Sequence, residues 1–583
     1  MKNKSAVSKV LKKIKPYSGY LILALLSAII SVSLTLYIPV LTGQAIDNII
    51  DTGKVNFENI AVILGYIVGG IAGVAIFQWI MNYFTNIISY RTVRDLRRDV
   101  FKKFNDVPLS YIDTHSHGDL ISRVINDVDA VGDGLTQMFL QLFSGVVTIV
   151  GTLVFMLMID WRIAVVVVVL TPLSLFVAAF IGKMSHKRFA QQQALQGEIS
   201  SYVEEHIGNQ RIVKAFSYEQ RAFDEFDDYN SKLYEVGFKA QFAGALANPS
   251  TRFVNAMVYA TVGIFGAMTA ISGTLTIGQI SCFLTYANQY TKPFNEVTGV
   301  LTQLQTAIAA AGRVFEVLDA ENEIQDIQKS PQLKQCRGNV TIENVSFSYS
   351  KDKQLINNFS LNVPSGSHIA IVGPTGCGKT TFINLLMRFY ETDSGKISID
   401  GVDIKDMTRD NLRKNYGMVL QDSWLFNGTI MENLRYGNEN STDEQVIKAA
   451  KSAYAHSFIS KMPNGYNTII SESGGNLSQG QKQLLCIARA MLSNPSILIL
   501  DEATSSIDTL TEIRVQKAFA KMMKGRTSFV VAHRLSTIKE SDAILVMNDG
   551  NIIEQGTHDE LLEKGGFYSK LYNSQFSNFK RSY

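Results

Sequence analysis

Charge is what this chain of 583 residues has least of: Asp, Glu, Lys and Arg make up 18% of it, against roughly 25% in an average soluble domain. The shortage is concentrated in the first half, where long apolar runs crowd together, while the second half reads like an ordinary soluble protein. The net charge of +3 is too small to argue for a nucleic-acid partner. Cysteine is scarce as well. Cys282, Cys336, Cys377 and Cys486 have neither metal-ligand spacing nor a disulfide-framework pattern, and read as reduced thiols in or facing a cytosol. A cleavable signal peptide is not apparent, because the first apolar run begins at Leu21 and continues past Val40 without a small-residue cleavage site. The length excludes a single core, since single domains usually stop near ~250–300 residues.

What the first half does have is segments long enough to cross a bilayer as helices, which takes ~20 predominantly apolar residues. Six are predicted, at about 20–41, 60–88, 135–159, 163–181, 253–271 and 277–300. The last two carry Asn255, Thr261, Thr285, Asn288 and Gln289. Such residues serve helix–helix hydrogen bonding at least as often as they line a transport pathway. Lys292 and Glu296 lie four apart in the last span, as an ion pair at its end or as cavity lining. Lys2, Lys4, Lys9, Lys12, Lys13 and Lys15 precede the first span, which places the N-terminus in the cytoplasm. Arg91, Arg94, Arg97, Arg98, Lys102 and Lys103 follow the second span, while Asp160-Trp161-Arg162 and the uncharged 272–276 fall on the outer side. The two inner connections, about 89–134 and 182–252, are too long to be structureless. Their charged, periodic sequence predicts that the membrane helices continue into the cytoplasm, with Gly118 and Gly208 as expected breaks.

The second half opens with chemistry. Gly373, Pro374, Thr375, Gly376, Cys377, Gly378, Lys379 and Thr380 fit G-x-x-x-x-G-K-[ST], after a strand-like run at 369–372 and before a helical run at 381–389. The glycines let backbone N–H groups turn toward phosphates, and the helix N-terminus adds a favourable field. Lys379 supplies charge, Thr380 can ligate Mg²⁺, and Thr381 completes the expected nucleotide contacts. Cys377 reads as space-filling, although a thiol reagent there would block the nucleotide. A second apolar strand at 497–500 ends in Asp501-Glu502. Asp501 is placed to hold Mg²⁺ through water, and Glu502 to orient or deprotonate the attacking water.

Leu477-Ser478-Gln479-Gly480-Gln481 resembles the signature of the ATP-binding cassette (ABC) transporters, and the surrounding elements fall in that family's order. The resemblance implies that Tyr349 stacks on adenine, that Gln421 senses the γ-phosphate and Mg²⁺, and that Asp508 belongs to the dimer loop. It also makes His533 the switch histidine, a role a lone histidine would not suggest, and Glu472 the acidic residue of the exporter segment. With Gly118-Asp119 and Asp127-Val128-Asp129, the resemblance spans essentially the whole chain. The implied fold is an α-helical membrane domain of six long transmembrane helices extended into the cytoplasm. An α/β phosphate-loop ATPase domain of the ABC type, with a helical subdomain, follows it. The boundaries read from the sequence are 1–320 for the membrane domain, 321–338 for a linker and 339–583 for the ATPase domain.

By that resemblance the chain is an ABC exporter half-transporter of a bacterial plasma membrane, with its N-terminus and ATPase domain cytoplasmic. It would use ATP and Mg²⁺ to move a small lipophilic substrate of multidrug type out of the bilayer by alternating access. Each nucleotide would be held by one phosphate loop and covered by the partner's Ser478–Gln481 equivalent. The segment near 421–426 would receive one of the short helices at the bends of the inner extensions. Gln479 departs from the family's L-S-G-G-Q, while the phosphate loop, Glu502 and His533 are intact. That mixture resembles the catalytically complete chain of heterodimeric bacterial exporters, whose partner carries the intact signature. A lipid or peptide exporter, possibly homodimeric, and an ATP-gated sensor or channel are the alternatives.

Overall fold

The computed structural model describes residues 2–49, 55–326, 333, 335–349, 355–420, 423–471, 476–501, 507–532 and 535–576. Packing divides the chain into two compact units. One comprises Met1–Asp106 with His115–Ala320, the other Val107–Thr114 with Glu321–Tyr583.

The first unit begins with the helix Lys2–Ile14, which buries Ala6, Val10 and Ile14 at four-residue spacing against Leu96, Val100 and Val314. Its lysines have local partners: Lys13 donates to Asp99 at 2.6 Å, and Lys9 pairs with Asp319 beside the Phe315 ring. Seven long helices follow: Ser18–Asp47, Phe57–Asp106, Val128–Ile159, Trp161–Gly208, Glu219–Ala245, Ala247–Ile271 and Ile277–Leu318. Each predicted apolar segment lies inside one of them. By length and composition, the helical stretches Ala6–Asp47, Phe57–Asp106, His117–Ile159 and Glu219–Ile271 can cross a membrane, and Trp161–Leu173 is a shorter apolar stretch. They expose Ile71, Trp79, Val150, Phe180 and Met268, a surface suited to lipid rather than water.

At ~1.5 Å per residue, the 50 residues of Phe57–Asp106 reach about 75 Å, well beyond a ~30 Å hydrocarbon layer. The helix stops at Asp106 because Pro108 is extended (φ −65°, ψ 153°) and has no N–H to continue the ladder. The expected break at Gly118 is thus displaced. Gly118 lies inside the helix His117–Ser122, whose Ser116 cap accepts the Asp119 N–H at 3.2 Å. Gly208 does end its helix, with Asn209 outside it. Charges buried near these bends are paired. Asp127 accepts from Arg313 Nε at 2.8 Å, and Arg123 lies 2.9 Å from Asp119 and 3.1 Å from Glu316. At the other helix ends, Asp160 caps Trp161–Gly208 through the Arg162 N–H (2.7 Å), and Asp47 accepts from Gly278 N–H and the Thr276 hydroxyl, both at 2.8 Å.

The second unit is built on a six-stranded sheet in the order Asn551–Gly556, Ala543–Asn548, His368–Val372, Thr527–Val531, Ile497–Asp501, Tyr416–Val419. All neighbours are parallel except the first pair. Ile497, Leu498 and Ile499 are fully buried, as strands covered on both faces must be. A four-stranded antiparallel sheet packs Val340, Ile342 and Val363 into the same core as Ile369 and Ile371.

Two buried arginines fasten the segment entering this unit. Arg409 donates through Nη1 to Asp326 (2.7 Å) and the Ile324 carbonyl (2.6 Å), and through Nη2 to Glu391 (3.0 Å). Arg388 donates to Glu391 (2.9 Å) and to the carbonyls of Ile404 and Met407. Removing one member of such a network leaves the others buried and uncompensated. Arg409→Ala should therefore cost roughly 3 kcal/mol and lower the first thermal transition of the purified chain by about 6–12 °C. A calorimetric shift under ~2 °C would show that the network is not a fastening.

Candidate nucleotide site

Three adjacent parallel strands end side by side, since Val531 is in register with Asp501 on one flank and with Ile371 on the other. Ligands in such sheets bind beyond the carboxyl ends of the strands. From this edge the chain continues into Gly373, ends a strand with Asp501, and runs on from Val531 toward position 533. The phosphate loop leads into the helix Lys379–Leu386, which Gly378 opens without any side-chain cap. The first N–H groups of a helix have no intrahelical acceptor, so those of Lys379, Thr380 and Thr381 are available to an anion. The Lys379 ammonium is held over the loop by the carbonyls of Gly373 and Pro374, both at 2.9 Å. Pro374, Thr375, Gly376 and Thr380 are exposed, whereas Cys377 and Thr381 are buried. An uncapped helix start with a cation fixed beside it fits the triphosphate of ATP.

Sequence reasoning missed the floor of this loop. The turn at Asp549-Gly550 presses against it, with the Gly550 N–H donating to the Cys377 carbonyl at 3.0 Å. A Cβ at Gly550 would lie 1.4 Å from the Leu355 carbonyl oxygen, so no other residue fits. The Asp-Gly dipeptide between two apolar strands was the available signal. Beside the loop, the half-exposed Tyr349 ring meets the edges of Phe347 and Tyr390 at 4.9 and 5.0 Å. The hydroxyl of Tyr390, another residue missed, donates to Asp113 at 2.5 Å. Burial and that bond raise the phenol above its ordinary range.

The signature residues form a second group. Ser478 caps the helix Gln479–Ser493, accepting from Gln481 N–H (3.3 Å), and the Gln481 side chain accepts from Ser478 N–H (3.0 Å). Gly480 is buried, and a Cβ there would lie 2.4 Å from the Thr511 methyl and 2.9 Å from Ile507. Thr511 in turn donates its N–H to Asp508 (2.9 Å), a bond that holds that carboxyl below its ordinary range. Gln479, by contrast, is exposed. The glycine that packing requires is retained, and the substituted position faces outward. Gln421, Glu472, Glu502 and His533 lie outside the described residues. The segment following Gln421 is pinned by Arg489, which donates to the carbonyls of Trp424 (3.2 Å) and Asn433 (2.9 Å) beneath the exposed rings of Trp424 and Tyr436.

A phosphate loop at the carboxyl edge of a parallel sheet, following a unit of long apolar helices, defines a membrane-bound ATPase. The ABC transporter transmembrane region matches residues 21–294, and the ABC transporter domain matches 356–505. The chain is 41% identical to the "Uncharacterized ABC transporter ATP-binding protein YfiC" of Bacillus subtilis, over 98% of this chain and 94% of that one. It is 41% identical to the "Fatty acid ABC transporter ATP-binding/permease protein" of Mycobacterium tuberculosis, over 85% and 78%. It is 35% identical to the "ATP-dependent lipid A-core flippase" of Syntrophus aciditrophicus, over 98% and 95%. The chain belongs to the ABC transporter family, as a half-transporter of exporter type that couples ATP hydrolysis to transport across a membrane.

Cys377 provides a local check. Its sulfur is buried 3.8 Å from the Lys379 ammonium. N-ethylmaleimide should react slowly, abolish ATPase activity and be held off by ATP, and Cys377→Ala should resist the reagent. Labelling at Cys377 at an unchanged rate in saturating ATP would refute the placement.

Proposed function

We propose that this chain is one half of a dimeric exporter that moves a lipophilic or amphipathic, lipid-like molecule outward across the bacterial plasma membrane by alternating access. The observation that carries this reading is that the two site groups are built on different elements. The phosphate loop and Asp501 lie at strand ends, while Gly480 packs on Thr511, Thr511 holds Asp508, and Ser478 caps the helix beside them. A site of this design is completed by a second copy of the ATPase unit. Relatives named for fatty acid transport and for lipid A-core flipping favour a lipid over the multispecific drug reading, which stands second.

In the closed dimer Lys379 and the first-turn N–H groups hold the β- and γ-phosphates, and Tyr349 stacks on the base. Thr380, Gln421 and Asp501 would hold Mg²⁺, whose charge would offset that of the phosphates. Glu502 orients and deprotonates the attacking water, and His533 contacts the γ-phosphate. Bound ATP supplies the differential affinity for the closed state that drives the change of access. The segment near 421–426 would receive a short helix from the inner extensions, and the N-terminus and ATPase unit would face the cytoplasm.

Gln479 makes a heterodimer the favoured assembly. It places a side chain where the partner's nucleotide would meet bare backbone, so this chain would cover the weaker of two sites. The chain expressed alone should lack full ATPase activity and regain it with a partner bearing an intact L-S-G-G-Q. A stable dimer of this chain alone with full activity would remove the partner. Glu502→Gln should keep ATP affinity within about threefold while phosphate release falls at least ~100-fold. Unchanged turnover would sink that assignment.

A further inference from the structure

Between the helices Ala247–Ile271 and Ile277–Leu318 lies a cavity of about 490 Å³, lined by Tyr259, Ser281, Thr285, Asn288, Gln289 and Lys292 among others. Ser281, Thr285, Asn288 and Lys292 recur every three or four residues and so share one helix face. Among the described residues the lining holds one cation and no carboxylate; the side chain of Glu296, four residues on, lies outside them. The Thr285 and Thr291 hydroxyls donate to carbonyls of their own helix, Ser281 (3.0 Å) and Ala287 (3.1 Å). Lys292, Asn288 and Gln289 then stand as donors along this face, with the hydroxyls of Ser281 and Tyr259 beside them. The Gln289 Oε1 is buried without a hydrogen-bond partner, a position suited to a shared water or a polar headgroup atom. Lys292 stands fifteen residues on from Ile277, about 22 Å along the axis. Lys292 is exposed to this space, and an ammonium within hydrocarbon must be answered by charge or water. The same two helices expose Met257, Ile264 and Ile277, an apolar surround for a hydrocarbon chain.

We propose that this cavity is an anionic-headgroup site, which takes a single-chain amphiphile by its carboxylate or phosphate. Lys292 supplies the counter-charge and Asn288 and Gln289 the hydrogen bonds. The proposal rests on the export reading for the direction of movement but not for binding.

The test is equilibrium binding to the purified full-length transporter, assembled with its partner where it has one, in nanodiscs. Oleate is compared with methyl oleate, and dodecyl phosphate with dodecanol. The wild type should hold the charged member of a pair about tenfold tighter. Lys292→Gln should bring the two members within about twofold, and Lys292→Arg should keep the preference. A preference for oleate alone or for dodecyl phosphate alone supports the site and names its headgroup. Equal binding of acid and ester by the wild type, or full preference in Lys292→Gln, overturns it. Should the glutamine variant not fold, the wild-type comparison alone decides. In proteoliposomes, retained preference without outward movement would overturn the export reading and leave this site standing. Outward movement without charge preference would do the reverse.

Discussion

The hydrogen bond from Tyr390 to Asp113 is where a stretch of the N-terminal half becomes part of the ATPase unit. The chain enters that unit at Val107 and leaves it at Thr114, and the short helix Leu109–Asp113 is held there by this bond. The Tyr390 ring also meets the edge of Tyr349. A phenol bonded at its hydroxyl and packed at its ring cannot follow one neighbour without disturbing the other. On the reading that Tyr349 stacks on adenine, occupancy of the base site and the position of residues 107–114 are coupled through one side chain. The proline that ends the preceding helix is what allows the chain to reach it.

The same economy appears in the signature. Ser478 and Gln481 spend their side chains on a capping box, so the loop holds its shape without any ligand. Gly480 allows the helix start to approach Ile507 and Thr511, and Thr511 fixes Asp508. The segments at Gly480 and Asp508 are therefore set relative to each other within this chain. Gln479 lies outside this bracing. Its substitution costs the fold nothing, and its consequence falls on whatever approaches from outside.

The parts of this organisation that follow from local chemistry were legible in the sequence. The phosphate loop announced itself by pattern and by its flanking strand and helix, and each apolar segment falls inside a long helix. What depends on pairs distant in sequence was not. Nothing local marks Arg388 and Arg409 until Glu323, Asp326 and Glu391 are brought to them. Gly118, an expected break, is tolerated in the first turn of a capped helix, and Pro108 ends the ladder ten residues earlier. The lysines at 9 and 13 were read only as topological signals, although Asp319 and Asp99 give them structural partners. The brace of Gly550 beneath Cys377 needed two strands to be neighbours before it could be seen.

Lys292, which is exposed, stands on other terms than the buried charges. Arg123, Asp127, Arg388 and Arg409, the charged side chains buried among the described residues, all have counter-charges within hydrogen-bonding reach. Buried charge is tolerable only on those terms. The protein thus meets the rule where structure alone is at stake, at helix bends and at the entry to the ATPase unit. Lys292 lines its cavity beside amides and hydroxyls, with no carboxylate among the described lining residues. A purely structural lysine at that depth would gain from an acid on the neighbouring helix, and Tyr259 stands there instead. A carboxylate built into the wall would compete with any anionic guest for the ammonium. A wall without one leaves the ammonium's electrostatic demand to be met by what enters.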